Sequence, residues 1–444
     1  MKKRMFTSLL CIGMAAALAA CGAEPQPIEG NNTGDDPERN VLPVAPIGTE
    51  IGETGEEEMN EERVLTGEEA SQLKNGMNTF AFRLYDVLPG DGNLFYSPYS
   101  LCTALSMLDV GADGETGQEI EQVLGITDPE SYRKEIQAYL SKKWTDDTFV
   151  TTADSVWLKQ NGLFAENMEQ DFADPVKQYY KGEVYEADFE GQPDAVAKEI
   201  NQWTSDKTEG MIEKLVSEIP SDTVLVLVNA VYFEGKWETP FDEEDTYDGT
   251  FHGRDKDSTV DMMRMYDSSF RYLDNGSIKG ISLPYEGGSV RMKIFLPSDE
   301  NAYIGDLFKK LSAEEKQELL DSLNTSPYED IARLEMPKFT DEEELQGLDG
   351  YLQDLGIRSA YTDGADFSKI ADNIALSTVI HKAKIIVDEQ GTKAAAATGA
   401  MVAMTAMMEP EPEITFIADR PFLYVIEDAD TGMILFMGQM NNME

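Results

Sequence analysis

Histidine is nearly missing from this chain. There are two in 444 residues, alongside three cysteines and only 36 lysines and arginines against 84 aspartates and glutamates. Each shortage removes a class of chemistry. So few histidines argue against a His-based hydrolase triad and against a His-ligated metal site. A net charge of −48 and a pI near 4.2 argue against nucleic-acid binding and for a soluble, self-repelling surface. The chain shows no internal repeat, no glycine-rich phosphate loop and no metal-ligand spacing, so neither cofactor nor metal is expected.

Its amino terminus is a processing signal. Lys2-Lys3-Arg4 is a charged n-region and Leu9 to Ala17 an apolar h-region, too short for a membrane span. Leu18-Ala19-Ala20-Cys21 resembles the lipobox of bacterial lipoproteins. That resemblance implies a signal peptide at residues 1–20, cleavage before Cys21 and diacylglycerol on its sulfur. The protein is then an exported cell-surface or outer-leaflet lipoprotein, on the extracellular or periplasmic side of a membrane. A plain signal peptide cut nearby is the alternative, and it too means export. With Cys11 removed and Cys21 lipidated, Cys102 is the remaining thiol, and the domain must stand on its core without an internal disulfide. Cys102 lies in a helical pattern and reads as a small core residue rather than a nucleophile.

Residues 21–66 read as an acidic, disordered tether. Between 22 and 63 lie twelve acids against Arg39 and Arg63, with five prolines and no aromatic. Such a composition buries too little apolar area to order itself. The folded domain is placed at 67–444. Leu73, Met77, Phe80, Ala81, Leu84 and Leu88 recur at helical spacing. Ser97 then reads as an N-cap with Pro98 at the first helical position, and Gly111 as the stop.

The oddest stretch runs from Glu389 to Met408. Residues 394 to 408 are fifteen small or flexible apolar residues without a charge, set between the strand-like runs Lys384–Asp388 and Ile414–Ile417. Loops of that length are uncommon and usually functional or disordered, and disordered ones are polar. A buried helix is one reading. A strand waiting for a place is the other. At period two, Thr392, Ala394, Ala396, Thr398, Ala400, Val402 and Met404 form one uncharged face, with Lys393 and Gly399 on the other. Such a segment can be exposed in one state and a central strand in another.

Glu389-Gln390-Gly391-Thr392-Lys393-Ala394-Ala395-Ala396-Ala397-Thr398 resembles the inhibitory hinge of the serpins, the serine protease inhibitor family. More specific is the run from Asn93 to Leu124, where Ser97, Pro98, Ser100, Leu101, Ala104, Leu105, Gly111, Ala112, Gly114, Thr116, Glu119 and Ile120 match a serpin segment. Ala153-Asp154-Ser155-Val156-Trp157-Leu158 looks like a serpin strand in which Asn is commoner at Asp154. Asn229-Ala230-Val231-Tyr232-Phe233-Glu234-Gly235-Lys236-Trp237 is a near-literal motif. Leu283-Pro284-Tyr285, Met336-Pro337-Lys338-Phe339 and Arg420-Pro421-Phe422-Leu423 keep the family order. The resemblance runs from residue 68 to about 440.

The resemblance implies an α+β serpin fold of three β-sheets, about eight to nine helices and an exposed reactive-centre loop. It implies no catalytic residue of the chain's own, a monomer, and a target serine protease as covalent partner. Ser97, Ser100, Asn229 and His381 match the shutter that holds the central strands closed. Trp237 and Glu389 match the breach where the loop first enters. Seventeen residues counted inclusively from Glu389 place the reactive bond at Thr405–Ala406, whereas alignment back from Ile414 places the primary residue at Met407 or Met408. No Lys or Arg occurs between Ala394 and Asp419, which points to elastase-, chymotrypsin- or subtilisin-like targets. Inhibition of cysteine proteases and a non-inhibitory, surface binding protein of the same fold are the alternatives.

Overall fold

Thr66 starts the first helix, α1 (Gly67–Val87), through a reciprocal capping box. Its hydroxyl accepts from the Glu69 amide at 3.3 Å, and the Glu69 carboxylate accepts from the Thr66 amide at 2.8 Å. The apolar positions read from the sequence, Leu73 to Leu88, are all buried. Helix α2 (Pro98–Gly111) is capped by Ser97 with Pro98 at its first position, and every one of its residues is buried. A helix wrapped on all sides is central to its domain. Around it pack α1, α3 (Gly114–Leu124) and α5 (Asp174–Tyr180), while α4 (Pro129–Leu140) bridges α1 and α5.

The computed structural model describes residues 49–51, 63–145, 147–160, 164–392 and 413–443. Cys21, the signal peptide, hinge residues Lys393, Ala394, Ala395, Ala396, Ala397 and Thr398, and Thr405, Ala406, Met407 and Met408 lie outside them.

A seven-stranded sheet lies over α2. Its order is β1 (Thr49–Ile51), β4 (Glu183–Ala187), β3 (Thr148–Lys159), β5 (Leu225–Lys236), β13 (Gly391–Thr392), β12 (Thr378–Asp388) and β11 (Phe339–Glu344). Strands β3 and β5 are antiparallel from Thr148↔Gly235 to Leu158↔Leu225. Strands β5 and β12 are parallel from Thr378↔Val226 to Lys384↔Tyr232. Beyond that point the two-residue β13 sits between them, antiparallel to both. Helix α6 (Pro193–Lys207) covers the far face of the sheet, with Val196, Ala197 and Ile200 clustered on Ala153, Trp157, Val226 and Val228.

Strand β1 departs from the expectation of a tether without structure. Thr49–Ile51 pairs antiparallel with β4, Glu50 opposite Tyr185, and Glu50 lies 3.6 Å from Lys177. Average composition does not register a free sheet edge, whose unpaired N–H and C=O groups order a short segment whatever surrounds it.

The remaining strands form one nine-stranded sheet. Its path is β14 (Ile414–Ile417), β10 (Tyr328–Pro337), β7 (Asp257–Asp274), β8 (Ile278–Pro284), β9 (Val290–Pro297), β15 (Phe422–Asp428), β16 (Ile434–Met440) and β2 (Leu94–Tyr96), with β6 (Tyr247–His252) on β7. The second and third sheets of the expected fold are joined here by the 18 residues of β7, which pair with β6 over Asp257–Met262, with β10 over Met262–Arg271 and with β8 over Arg271–Asp274. Every residue of β15 and β16 is buried. Helices α7 (Ile304–Phe308), α8 (Ala313–Thr325) and α9 (Leu348–Leu355) complete nine α-helices among the described residues. None of these is long and apolar enough to cross a membrane.

Candidate functional site

The site is the seam between β5 and β12. At its upper end the chain leaves β12, turns and re-enters the sheet as β13. The turn is shaped by Asp388, whose carboxylate accepts from the amides of Gln390 at 2.9 Å and Gly391 at 3.2 Å. Gly391 has φ +148°, and a Cβ there would lie 2.2 Å from the Gly235 carbonyl oxygen, so only glycine fits. Thr392 follows, fully buried, opposite Gly235 of β5 and Val387 of β12. Its hydroxyl lies 2.9 Å from the Tyr285 hydroxyl. Tyr285 in turn stacks on Trp237 at 4.4 Å.

Trp237 and Glu389 both lie at this turn, Trp237 bonding the residues on either side of Glu389. The Trp237 indole N–H donates to the Asp388 carbonyl at 3.0 Å, and its amide donates to the Gln390 carbonyl at 2.9 Å. Glu389 is buried, accepting from the Thr246 hydroxyl at 2.6 Å and lying 2.9 Å from the Lys338 ammonium. Burial pushes its carboxyl up, but the Thr246 and Lys338 hydrogen bonds outweigh that and hold it below the usual range. Lys338 is raised by the hydrogen bond to Glu389. Neither Lys338, Thr246 nor Tyr285 stood out as a site residue in the sequence. Lys338 and Tyr285 lie in quoted motifs, but nothing in those motifs says what they touch.

Midway down the seam the four shutter residues meet. Asn229 of β5 faces His381 of β12 on one side and Asp154 of β3 on the other. The Ser97 amide donates to His381 Nε2 at 3.2 Å, so Nδ1 carries the ring proton and donates to the Asn229 side-chain oxygen. The Asn229 amide then donates to the Ser100 hydroxyl, the Ser100 carbonyl and the Asp154 carboxyl. The Ser97 hydroxyl accepts from the Ser100 amide at 3.1 Å and donates to the Leu435 carbonyl at 2.6 Å. Burial drives the His381 imidazole down to about 3, so it stays neutral. Burial pushes the Asp154 carboxyl up to about 7 against the hydrogen bonds from Asn229 and Thr152. Asp154 joins the four in this network through Asn229; its departure from the commoner Asn is visible in the sequence, but this contact is not.

This constellation ties three strands and a helix together; it holds no nucleophile beside a base. Cys102 is fully buried in α2, and burial pushes its thiol far up, out of reactive range. Among the described residues no group of three or more His, Cys, Asp or Glu is placed to hold a metal ion. Strands β5 and β12 are joined directly along the lower part of the seam, and β13 lies between them at its upper end.

Comparison with known proteins agrees with this geometry. The family described as Serpin (serine protease inhibitor) matches residues 75–443. An uncharacterized serpin-like protein of Thermococcus kodakarensis is 36% identical over 387 residues, covering 85% of this chain and 88% of that one. Leukocyte elastase inhibitor A of Rattus norvegicus is 31% identical over 389 residues, covering 83% and 99%. The crystal structure of the thermophilic serpin tengpin in its native state matches with a TM-score of 0.75 at 28% identity, covering 86% of this chain and 96% of that one. The chain belongs to the serpin family.

Proposed function

We propose that this protein is an exported suicide-substrate inhibitor of serine endopeptidases, acting by cleavage of its reactive loop, trapping of the acyl-enzyme and insertion of the cut loop into the first sheet. The observation that carries the reading is β13. Gly391 and Thr392 pair with β5 on one side and β12 on the other, and the loop of small residues follows directly. Continuing that register brings Thr398 opposite Asn229 and His381 together, at the shutter. Ala394 and Ala396, the intervening residues of the same face, are small enough to pass.

The steps follow from that geometry. The protease serine attacks a loop carbonyl, forming an ester and releasing the amine of the next residue. The freed amino-terminal half slides between β5 and β12 with the protease attached, and deacylation by water stalls as the protease is carried away. On the order of a dozen new ladder rungs at about 1 kcal/mol net each supply the drive. The bond assigned is Thr405–Ala406, with Met407 and Met408 as the alternatives for the primary residue. The absence of basic residues around it, and the name of the rat relative, favour elastase-, chymotrypsin- or subtilisin-like targets. Attachment through lipid on Cys21 belongs to the same proposal, and Cys21→Ser is expected to abolish labelling by radioactive palmitate.

The test mixes the full-length protein with pancreatic elastase, chymotrypsin and subtilisin, boils in SDS and weighs the released carboxy-terminal peptide. The expected result is a stable covalent complex and a peptide starting at Ala406 or Met408. Cleavage without complex for all three enzymes would replace the inhibitor with a substrate-like binding protein.

A further inference from the structure

Asp154 lies in the middle of β3, 5% exposed. Its side-chain partners among the described residues are neutral, Asn229 and Thr152. Among the described residues, the elements packed around it offer no cation to hold a carboxylate. From α2 it meets Tyr99, whose own hydroxyl is raised by burial and by the charges of Asp154 and Asp428. Asp428 is matched by Lys142 at 2.7 Å. Across β5 stands His381, neutral over the whole accessible pH range. At the start of β4, opposite Ser155, Glu183 is turned to α6, where Lys207 and Trp203 hold it. On the α6 side, β3 meets apolar Val196, Ala197 and Ile200. A carboxylate at Asp154 is therefore an unpaired buried charge, whereas a carboxylic acid is tolerated.

Opening the seam changes this balance. Parting β5 from β12 breaks the Asn229–His381 bond but leaves β3 paired to β5, with Asp154 still beside Asn229. Water entering the gap solvates the freed Asn229 carbonyl and the carboxyl behind it. The ionised form thus costs more in the closed sheet than in the open one.

We propose that Asp154 is a positioning residue whose protonation sets how readily the seam opens: the neutral acid holds β5 and β12 together, and the carboxylate eases them apart. This rests on the reading that the seam receives the reactive loop. Burial raises the closed-state carboxyl to about 7, and partial solvation brings it down toward the ordinary value near 4 on opening. The open state therefore binds fewer protons, so opening grows as pH rises between these values and levels off above about 7. A single proton allows at most about tenfold per pH unit.

The test uses the full-length protein, its Asp154→Asn variant and a fluorescent synthetic peptide with the sequence of residues 392–405. Stable incorporation of the peptide is followed on native gels from pH 5 to 8.5. For wild type the rate is expected to climb by about tenfold to a hundredfold and then flatten, while Asp154→Asn, which keeps the acceptor oxygen and cannot ionise, stays flat near the low-pH rate. Should Asp154→Asn fail to fold, Thr152→Val serves instead. It removes a bond that favours the charged form and should move the midpoint of the climb to higher pH. A flat wild-type profile, the same climb in Asp154→Asn, or an unmoved midpoint in Thr152→Val would overturn the latch. A peptide incorporated at no pH by either protein would overturn the insertion reading as well, which the pH-independent outcomes leave standing.

Discussion

The hydroxyls of Thr392 and Tyr285 meet at 2.9 Å inside the sheet, so the chain is fastened there just before the stretch of small residues begins. Tyr285 ends the strand-like run after β8 and stacks on Trp237, which itself donates to the Asp388 carbonyl behind the turn. Two elements far apart in sequence thus hold the first rung in register. The seam below that rung is already lined by the partners the next residues would meet.

That register makes Thr398→Arg and Thr392→Arg informative. Either places a guanidinium in a slot with no counter-charge, and an unpaired buried charge costs several kcal/mol. Thr398→Arg is expected to fold and to be cut at wild-type rates, because cleavage precedes insertion, whereas Thr392→Arg, already buried against Tyr285 in the uncut protein, is expected to lose native stability itself. The covalent complex should fall by about tenfold or more, with turnover as a plain substrate in its place. Stable complexes persisting in SDS for Thr398→Arg would sink the insertion account.

Glu389 and Lys338 make a charge-reversal test possible. Glu389→Lys sets two ammonium groups face to face and strands the Thr246 hydroxyl. A loss of about 1–3 kcal/mol in native stability is expected, measured by urea denaturation. The double variant, Glu389→Lys with Lys338→Glu, should recover a good part of it. Equal losses in the single and double variants would mean that the pair does not hold the turn.

Much of this was legible in the chain, and the parts that were not share a cause. The spacing from Leu73 to Leu88 and the Ser97-Pro98 start are local signals, and α1 and α2 lie where those signals put them. Ser97, Ser100, Asn229 and His381 were singled out through family resemblance, and the structure places them in one hydrogen-bonded network, while Trp237 bonds the Asp388 carbonyl next to Glu389. Strands β1 and β13 carry three and two residues, too few for any periodicity, and each exists because another strand offers an edge or a gap. Lys338, Thr246 and Tyr285 gain their roles from partners 51, 143 and 107 residues away. Asp154 was visible as an unusual acid, but its charge state depends on burial between β3, β5 and α2, which no spacing records.

Ser97 joins the start of α2 to the second sheet, since its hydroxyl serves both the Ser100 amide and the Leu435 carbonyl. Ser97→Ala removes a helix cap and leaves a buried carbonyl short of a donor. A destabilisation of about 2 kcal/mol is expected, the sum of an N-cap and a buried hydrogen bond. Ser97→Thr can keep both bonds and should lose less. If alanine and threonine cost the same, the hydroxyl is not what joins α2 to the second sheet.

Asp341 offers a pH test away from the seam. It is buried on β11, with the Tyr424 hydroxyl donating to it at 2.8 Å. Burial, aided by the like charge of Glu343, pushes its carboxyl up to about 7 against the Tyr424 bond. In the unfolded chain an aspartate titrates near 3.9. Between those values the native state keeps a proton that the unfolded state has lost, so its contribution to stability falls as pH rises from about 4 to about 7 and is level above. Asp341→Asn keeps an acceptor for Tyr424 but has no proton to lose. It should therefore match wild type within about 1 kcal/mol at pH 4.5 and exceed it by about 2–4 kcal/mol at pH 8, with the difference opening across that window. Denaturant midpoints measured at pH 4.5, 6 and 8 on both proteins check it. A difference independent of pH would mean that Asp341 is already ionised in the native protein.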